Sequence, residues 1–290
     1  MKIGIFIHLF YTDLFNEFSE YINNVIKEFG EDVFILFTMH NIECCRNFGE
    51  TIIKGIYPKC LILYIENKGV DVYSFFKQIE YIREKNIQLN YILKIHTKTS
   101  IQDNLHNWRR QLIEPIVNQD NLKYIHYIFK KSEMELGYIA AQSCIFPRNF
   151  DLVFKKNFQG IYNICKQFTH IKENYLDFVA GNMYWINYKI VEENITNELM
   201  EYLIKDMSNE KPPSNFNNEI YPEYIFERLI TGPICFHYTN ILINTNKIEG
   251  LCNTDLGYHC PDRFSFYCPK EIMETLFPEE KDKLYKLYEK

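Results

Sequence analysis

The sequence has no apolar run approaching the roughly 18 residues that a bilayer span requires. It has no excess of basic residues either: 32 Lys and Arg against 38 Asp and Glu leave a net charge of −6. A general nucleic-acid binder displaces counterions with a basic face, so that class is set aside. Glycine is scarce, and no G-x-x-x-x-G-K or G-x-G-x-x-G loop is there to cradle phosphates. The G-x-S-x-G and H-E-x-x-H signatures of hydrolases and zincins are missing as well. Nine cysteines, an odd number, form no tight C-x-x-C pair. Cys252, His259, Cys260 and Cys268 are spaced too widely for a compact tetrahedral zinc site. Cys60 lies inside an apolar run, where a reduced thiol acts as a small hydrophobe. These features fit a reducing, cytoplasmic setting. The opening Met1–His8 stretch is too short and too soon interrupted to be a signal peptide, and reads as a first core strand.

What is present is a globular composition. Apolar residues make up 47% and charged residues 24% of 290, enough to bury a large core. Short apolar runs at 2–8, 33–38, 60–66 and 91–96 alternate with helical periods at 13–29 and 72–84. That alternation predicts an α/β fold with a mostly parallel central sheet flanked by helices. Helices near 107–117, 121–131, 158–171 and 222–230 follow, with strands near 137–142, 178–186 and 234–243. The Asn- and Pro-rich stretch 209–218 is the clearest loop. One domain over 1–245 is expected, with a helical C-terminal extension over 246–290 packed on it.

In a parallel sheet, ligands bind beyond the carboxyl ends of the strands. Four clusters fall at such places. His8 and Tyr11 stand where the first strand opens into a helix. Asn67, Lys68 and Gly69 form a turn, and Asp71 opens the next helix, although capping alone accounts for an Asp there. Lys94, His96, Thr97 and Lys98 end the fourth strand, with Thr99 and Ser100 beyond. Alternation puts Lys94, His96 and Lys98 on one face, an arrangement hard to explain as core and suited to a phosphate or diphosphate. Trp108 and Arg109 add stacking and positive charge nearby. The fourth cluster joins Gly181, Asn182 and Trp185 to Glu219, Glu223, Glu227 and Arg228, the three carboxylates lying four residues apart on one helical face. One of them could serve as a general base for an acceptor hydroxyl.

Taken in order, His8–Leu14, Glu66–Val72, Lys94–Ser100, Trp108-Arg109, Phe178–Trp185 and Glu227-Arg228 resemble the rhamnan synthesis protein F family over residues 6–229. Val70 stands where that family usually has Arg, and Tyr73-Ser74 where it has Gly-Pro. The last forty residues lie outside the resemblance. The family resemblance implies a glycosyltransferase of polysaccharide synthesis with a type A-like layout. By that analogy His8, Tyr11, Asn67, Lys68, Gly69, Asp71, Lys94, His96, Thr97, Lys98 and Arg109 hold a nucleotide sugar. Trp108, Gly181, Asn182, Trp185 and Arg228 surround the donor sugar or acceptor, and Glu223 or Glu227 is the base of an inverting transfer.

His96-Thr97-Lys98 takes the position of the Asp-x-Asp metal motif in that layout. Two hard-metal ligands are thereby replaced by groups that can offer positive charge. The expectation is transfer without a bound metal, manganese or magnesium being the disfavoured case. The resemblance suggests rhamnose or a similar hexose, moved from a dTDP- or UDP-linked donor to a hydroxyl of a glycan or lipid-linked acceptor. A lipid-linked acceptor would bring the chain to a membrane surface as a peripheral protein, and exposed aromatics leave room for a homodimer. The alternative is a non-catalytic nucleotide- or carbohydrate-binding module descended from such an enzyme. A phosphate-transfer enzyme would need a metal-holding carboxylate cluster that the sequence does not display.

Overall fold

The computed structural model describes residues 1–30, 32–98, 106–130, 136–142, 145–146, 155–168, 178–209, 221–235, 238–243 and 257–259. Its centre is an eight-stranded sheet. Strand β1 (Ile3–His8) is flanked by β2 (Phe34–His40) and β4 (Tyr91–His96), and β3 (Leu61–Ile65) lies outside β2. These four are parallel, and His8 is opposite both Thr38 and His96. Every residue from Ile3 to Ile7 is buried, as expected for a strand covered on both faces.

Beyond β4 the sheet becomes mixed. β8 (Tyr184–Asn187) inserts antiparallel between β4 and β5 (Leu136–Ala141), and β9 (Thr239–Ile243) is parallel to β5. Six strands therefore point one way, and β8 and the edge strand β10 (Gly257–His259) the other. Two short strands, β6 (Ile145–Phe146) and β7 (Phe178–Val179), form a separate antiparallel pair. The strand-like run over 178–186 is interrupted at its Ala180-Gly181 pair, as the small residues there suggest, and forms two strands separated by a turn at 180–182.

Helices cover the sheet. α1 (Phe15–Phe29) follows a 3-10 turn at Thr12–Leu14 and buries Phe15, Phe18, Tyr21, Ile22 and Val25, the expected face. α2 (Glu43–Phe48) continues through a π-helical turn, Gly49–Ile53, into Lys54–Ile56. α3 (Val70–Glu84) packs on β1, β2 and β3. α4 (His106–Val117), α5 (Gln119–Lys130) and α6 (Lys155–Phe168) match the expected middle helices. α7 (Tyr188–Asn194) and α8 (Asn197–Lys205) are additions that hydrophobic patterning did not single out. Their N-caps are legible in retrospect: Asn187 Oδ1 accepts from the Lys189 amide, and Thr196 Oγ1 from the Leu199 amide. α9 (Pro222–Thr231) starts with Pro in its first turn and packs against α3, α6 and β7.

Of the stretch 246–290, Gly257–His259 is described, and it is a strand on the sheet edge. The helical part expected of that extension lies outside the described residues, as do Cys252, Cys260 and Cys268. Cys44, Cys45, Cys60 and Cys235 are free thiols. No helix among the described residues is long and apolar enough to cross a membrane.

Candidate active site

A cavity of about 380 Å³ opens at the carboxyl ends of β1 and β4. Its first wall is made where those strands end. Thr97 continues the ladder by donating its amide to the His8 carbonyl at 3.0 Å. Its hydroxyl then accepts from the amides of Phe10 and Tyr11, at 2.9 and 3.0 Å. One buried threonine therefore shapes the turn that brings His8, Phe10 and Tyr11 to the cavity beside His96 and Lys98.

The second wall is the N-terminus of α3. Gly69 and Val70 both have left-handed φ values, +56° and +51°. Glycine is required at the first, because a Cβ there would also strike Met207 Sδ. A β-branched residue at positive φ is a strained choice, and Val70 adopts it at the cavity edge. The result is that Asp71 turns inward. Its Oδ2 accepts from Lys94 Nζ at 2.6 Å and from Asn182 Nδ2 at 2.7 Å, and lies 3.6 Å from His96 Nδ1. Asp71 is thus a hub of the site floor as well as a first-turn acid.

The third wall is the turn between β7 and β8 together with α9. Gly181 and Asn182 also have positive φ, +85° and +56°. Lys94 Nζ donates to the Asn182 carbonyl at 2.9 Å, the Tyr184 hydroxyl to Asn182 Oδ1 at 2.9 Å, and the Gly181 amide to Glu227 Oε1 at 2.6 Å. Glu223 and Glu227 both line the cavity, as their four-residue spacing predicts, while Glu219 lies outside the described residues.

Burial dominates the electrostatics. It lowers the pKa of His8 to about 4 and of His96 to about 3, against the pull of Asp71, so both imidazoles are neutral at pH 7. Burial opposes ionisation of Asp71, but His96 and Lys94 outweigh it and hold that carboxyl well below the usual range. Since His96 is itself neutral near pH 7, the attraction that persists there is that of Lys94. Glu223 and Glu227 are both raised by burial; Arg228 and Lys98 partly offset this for Glu227.

Most residues expected from the sequence meet here: His8, Tyr11, Asn67, Gly69, Asp71, His96, Thr97, Lys98, Gly181, Asn182, Glu223 and Glu227 all line the cavity. Five do not reach it. Trp185 is fully buried in the core, its indole N–H donated to the Ile116 carbonyl at 2.9 Å, because β8 turns that face toward α4 and α5. Lys94 is 2% exposed and engaged by Asp71 and Asn182, so it braces the floor instead of facing a ligand. Arg109 forks onto Glu17 of α1, at 3.0 and 2.6 Å, and donates to the Lys98 carbonyl at 2.9 Å. Arg228 is buried behind Glu227, donating to the Tyr224 carbonyl and stacked 4.4 Å from the Phe178 ring centre. Lys68 is half-buried beside the cavity without lining it. Trp108 lies in the first turn of α4, but its side chain is outside the described part, as are Thr99 and Ser100. Of the cations expected on a diphosphate, Lys98 is the one that lines the cavity.

Sequence reasoning missed Phe10, Val70, Val72, Ser208, Asn209 and Tyr224. Phe10 is 37% exposed, and an aromatic directly after a strand-end histidine was the available signal. Ser208 enters because its carbonyl accepts the Gly69 amide at 2.9 Å, a long-range contact without a local signature.

No curated protein matches the chain. Among solved structures, the mannosyltransferase Ktr4p from S. cerevisiae aligns with 79% of this chain and 66% of its own, at 10% identity and a TM-score of 0.41. The chain thus spans just under two thirds of that protein's length. The model of the family described as rhamnan synthesis protein F matches residues 1–229, a stretch that holds every residue lining the cavity, and the chain belongs to that family.

Proposed function

We propose that the protein is a glycosyltransferase that moves rhamnose or a similar hexose from a nucleoside-diphosphate sugar to a hydroxyl of a glycan or lipid-linked acceptor. The observation that carries this reading is the composition of one cavity. A strand-end wall with Lys98, Thr97 and two neutral imidazoles faces a helix carrying two carboxylates, Glu223 buried and Glu227 half-buried. The first wall suits a diphosphate and nucleoside, through hydrogen-bond donors and the Lys98 ammonium. The second suits a hydroxyl that must lose its proton. Membership of a family named for rhamnan synthesis supports the choice of sugar.

A type A-like layout would bring a divalent metal to the end of β4, and the described residues there do not fit one. Among them the nearest carboxylate, Asp71, already receives the Lys94 ammonium and the Asn182 amide. Among the described residues, no three His, Cys, Asp or Glu side chains gather as a metal-binding group. Charge on the departing diphosphate is then met by Lys98 and by neutral donors. Inversion requires a single displacement, with the acceptor entering from the α9 side.

The engagement of Lys94 with Asp71 and of Arg109 with Glu17 favours one other reading, a binding module without turnover. A thermal-shift titration with UDP, dTDP, GDP and CMP, each with manganese and with chelator, tests both. A shift with dTDP or UDP that survives chelation, together with release of nucleoside diphosphate from dTDP-rhamnose or UDP-glucose, is the expected outcome. Binding without release favours the module, and a strict need for manganese overturns the metal-free account.

A further inference from the structure

We propose a division of labour between the two carboxylates of α9: Glu223 takes the proton from the attacking hydroxyl, and Glu227 is a positioning residue that fastens the Gly181–Asn182 turn. The assignment rests on the transferase reading above. As the acceptor oxygen bonds to the anomeric carbon, its proton passes to a Glu223 oxygen. The bond from that carbon to the diphosphate oxygen breaks, and the diphosphate leaves with the bonding pair. Protonated Glu223 afterwards returns its proton to solvent.

The two side chains differ in what they touch. Glu227 Oε1 accepts the Gly181 amide at 2.6 Å, and its Oε2 lies 3.5 Å from Arg228 Nη1. Its lone pairs already serve the turn that carries Asn182, and through Asn182 the Asp71–Lys94 floor. Glu223 is 4% exposed, lines the cavity, and has no hydrogen-bond partner of good geometry on either oxygen. An acidic residue in the first turn of a helix is favourable on dipole grounds alone. That role needs no burial, however, and a merely structural carboxylate would keep its oxygens in water or on an amide. The amides of Glu223 itself and of Ser208 lie near enough to lower its pKa somewhat, yet burial outweighs them and the pKa is raised. A carboxylate held destabilised at a cavity wall, with no hydrogen bond of good geometry, is poised to accept a proton.

Glutamine separates the two roles. At 227 it keeps a carbonyl for the Gly181 amide, whereas at 223 it keeps shape and removes the base. The experiment measures nucleoside diphosphate released from dTDP-rhamnose and UDP-glucose, with dTDP and UDP affinity and Tm alongside, for Ala and Gln at each position. Both Glu223 variants are expected to lose turnover by about 100-fold or more, with nucleotide affinity within about threefold of wild type. Glu223→Gln should also raise Tm at pH 8, because it removes an unpartnered buried charge. Glu227→Ala should lower both turnover and Tm, and Glu227→Gln should recover most of each. Undiminished turnover in Glu223→Gln overturns the assignment alone. So does a Glu227→Gln protein as inactive as Glu227→Ala but fully stable, which would make Glu227 the base. A wild type that binds nucleotide yet releases none from any donor overturns the transferase reading, and the assignment with it.

Discussion

At the residue scale, the Asp71–Lys94 pair governs how the site tolerates change. The Lys94 side chain is 3% exposed and that of Asp71 13%, and the pair is closed at 2.6 Å. Removing one partner of a buried pair leaves the other uncompensated, so Asp71→Ala is expected to destabilise the fold by roughly 3–5 kcal/mol. Replacing both by neutral residues of similar shape, Asp71→Asn with Lys94→Met, should lose less than the single change. Urea denaturation of the single and double variants checks this; a double variant less stable than Asp71→Ala would show that the pair matters for more than mutual neutralisation. Of this floor the shared face of Lys94 and His96 was legible in the sequence, whereas capping alone accounted for Asp71 and the family resemblance brought it to the site. The partnership of Asp71 with Lys94 was not legible, because 23 residues and a crossover separate them.

At the scale of elements, hydrophobic period located the strands and helices that carry the site, and β4 begins and ends where its apolar run does. The reversal at β8 was hidden, since an apolar run reads alike in either direction. The helical stretch at 43–56 was obscured for a different reason: Ile52 and Ile56 are exposed, and Gly49 and Gly55 interrupt the period. Tertiary contacts decide such segments. The most exacting junction is the end of β4, where Thr97 Oγ1 accepts two amides of the β1 turn. Thr97→Val keeps the shape and leaves both amides without an acceptor. A loss of about 1–3 kcal/mol is expected, with weaker dTDP or UDP binding as the turn carrying Phe10 and Tyr11 loosens. Calorimetric titration against the same nucleotides measures it. Unchanged affinity would mean that the turn is held from elsewhere.

On the scale of the whole molecule, stability should depend on pH through groups of opposite sign. His8 and His96 have folded pKa values depressed from 6.5 to about 4 and about 3. Their contribution is complete above pH 6.5 and is lost as pH falls through that window. Glu223 and Glu227 are raised above 4.5, so stability reduced by their burial at neutral pH returns as pH falls toward 4.5. The two trends oppose each other between pH 6.5 and 4.5. Replacing Glu223 by Gln removes one of the acid-side gains, so the urea midpoint of that variant should fall more steeply on acidification than that of wild type. Parallel midpoints over that range would mean that Glu223 titrates alike in the folded and unfolded chains.

The strand order also sets a timetable for synthesis. β1 to β4 are complete by residue 96, whereas the third wall of the cavity waits for β8 and α9, which ends at Thr231. At about 5–20 residues per second, the interval from β4 to β8 lasts roughly 4–18 s. Throughout it the nascent four-stranded sheet has β4 at its open edge, and a bare apolar edge invites pairing with another chain. β4 carries a lysine in its middle, and until Asn182 emerges from the ribosome that ammonium lacks one of its two final acceptors. The residue that later braces the floor of the cavity is thus, earlier in the life of the chain, a gatekeeper against aggregation.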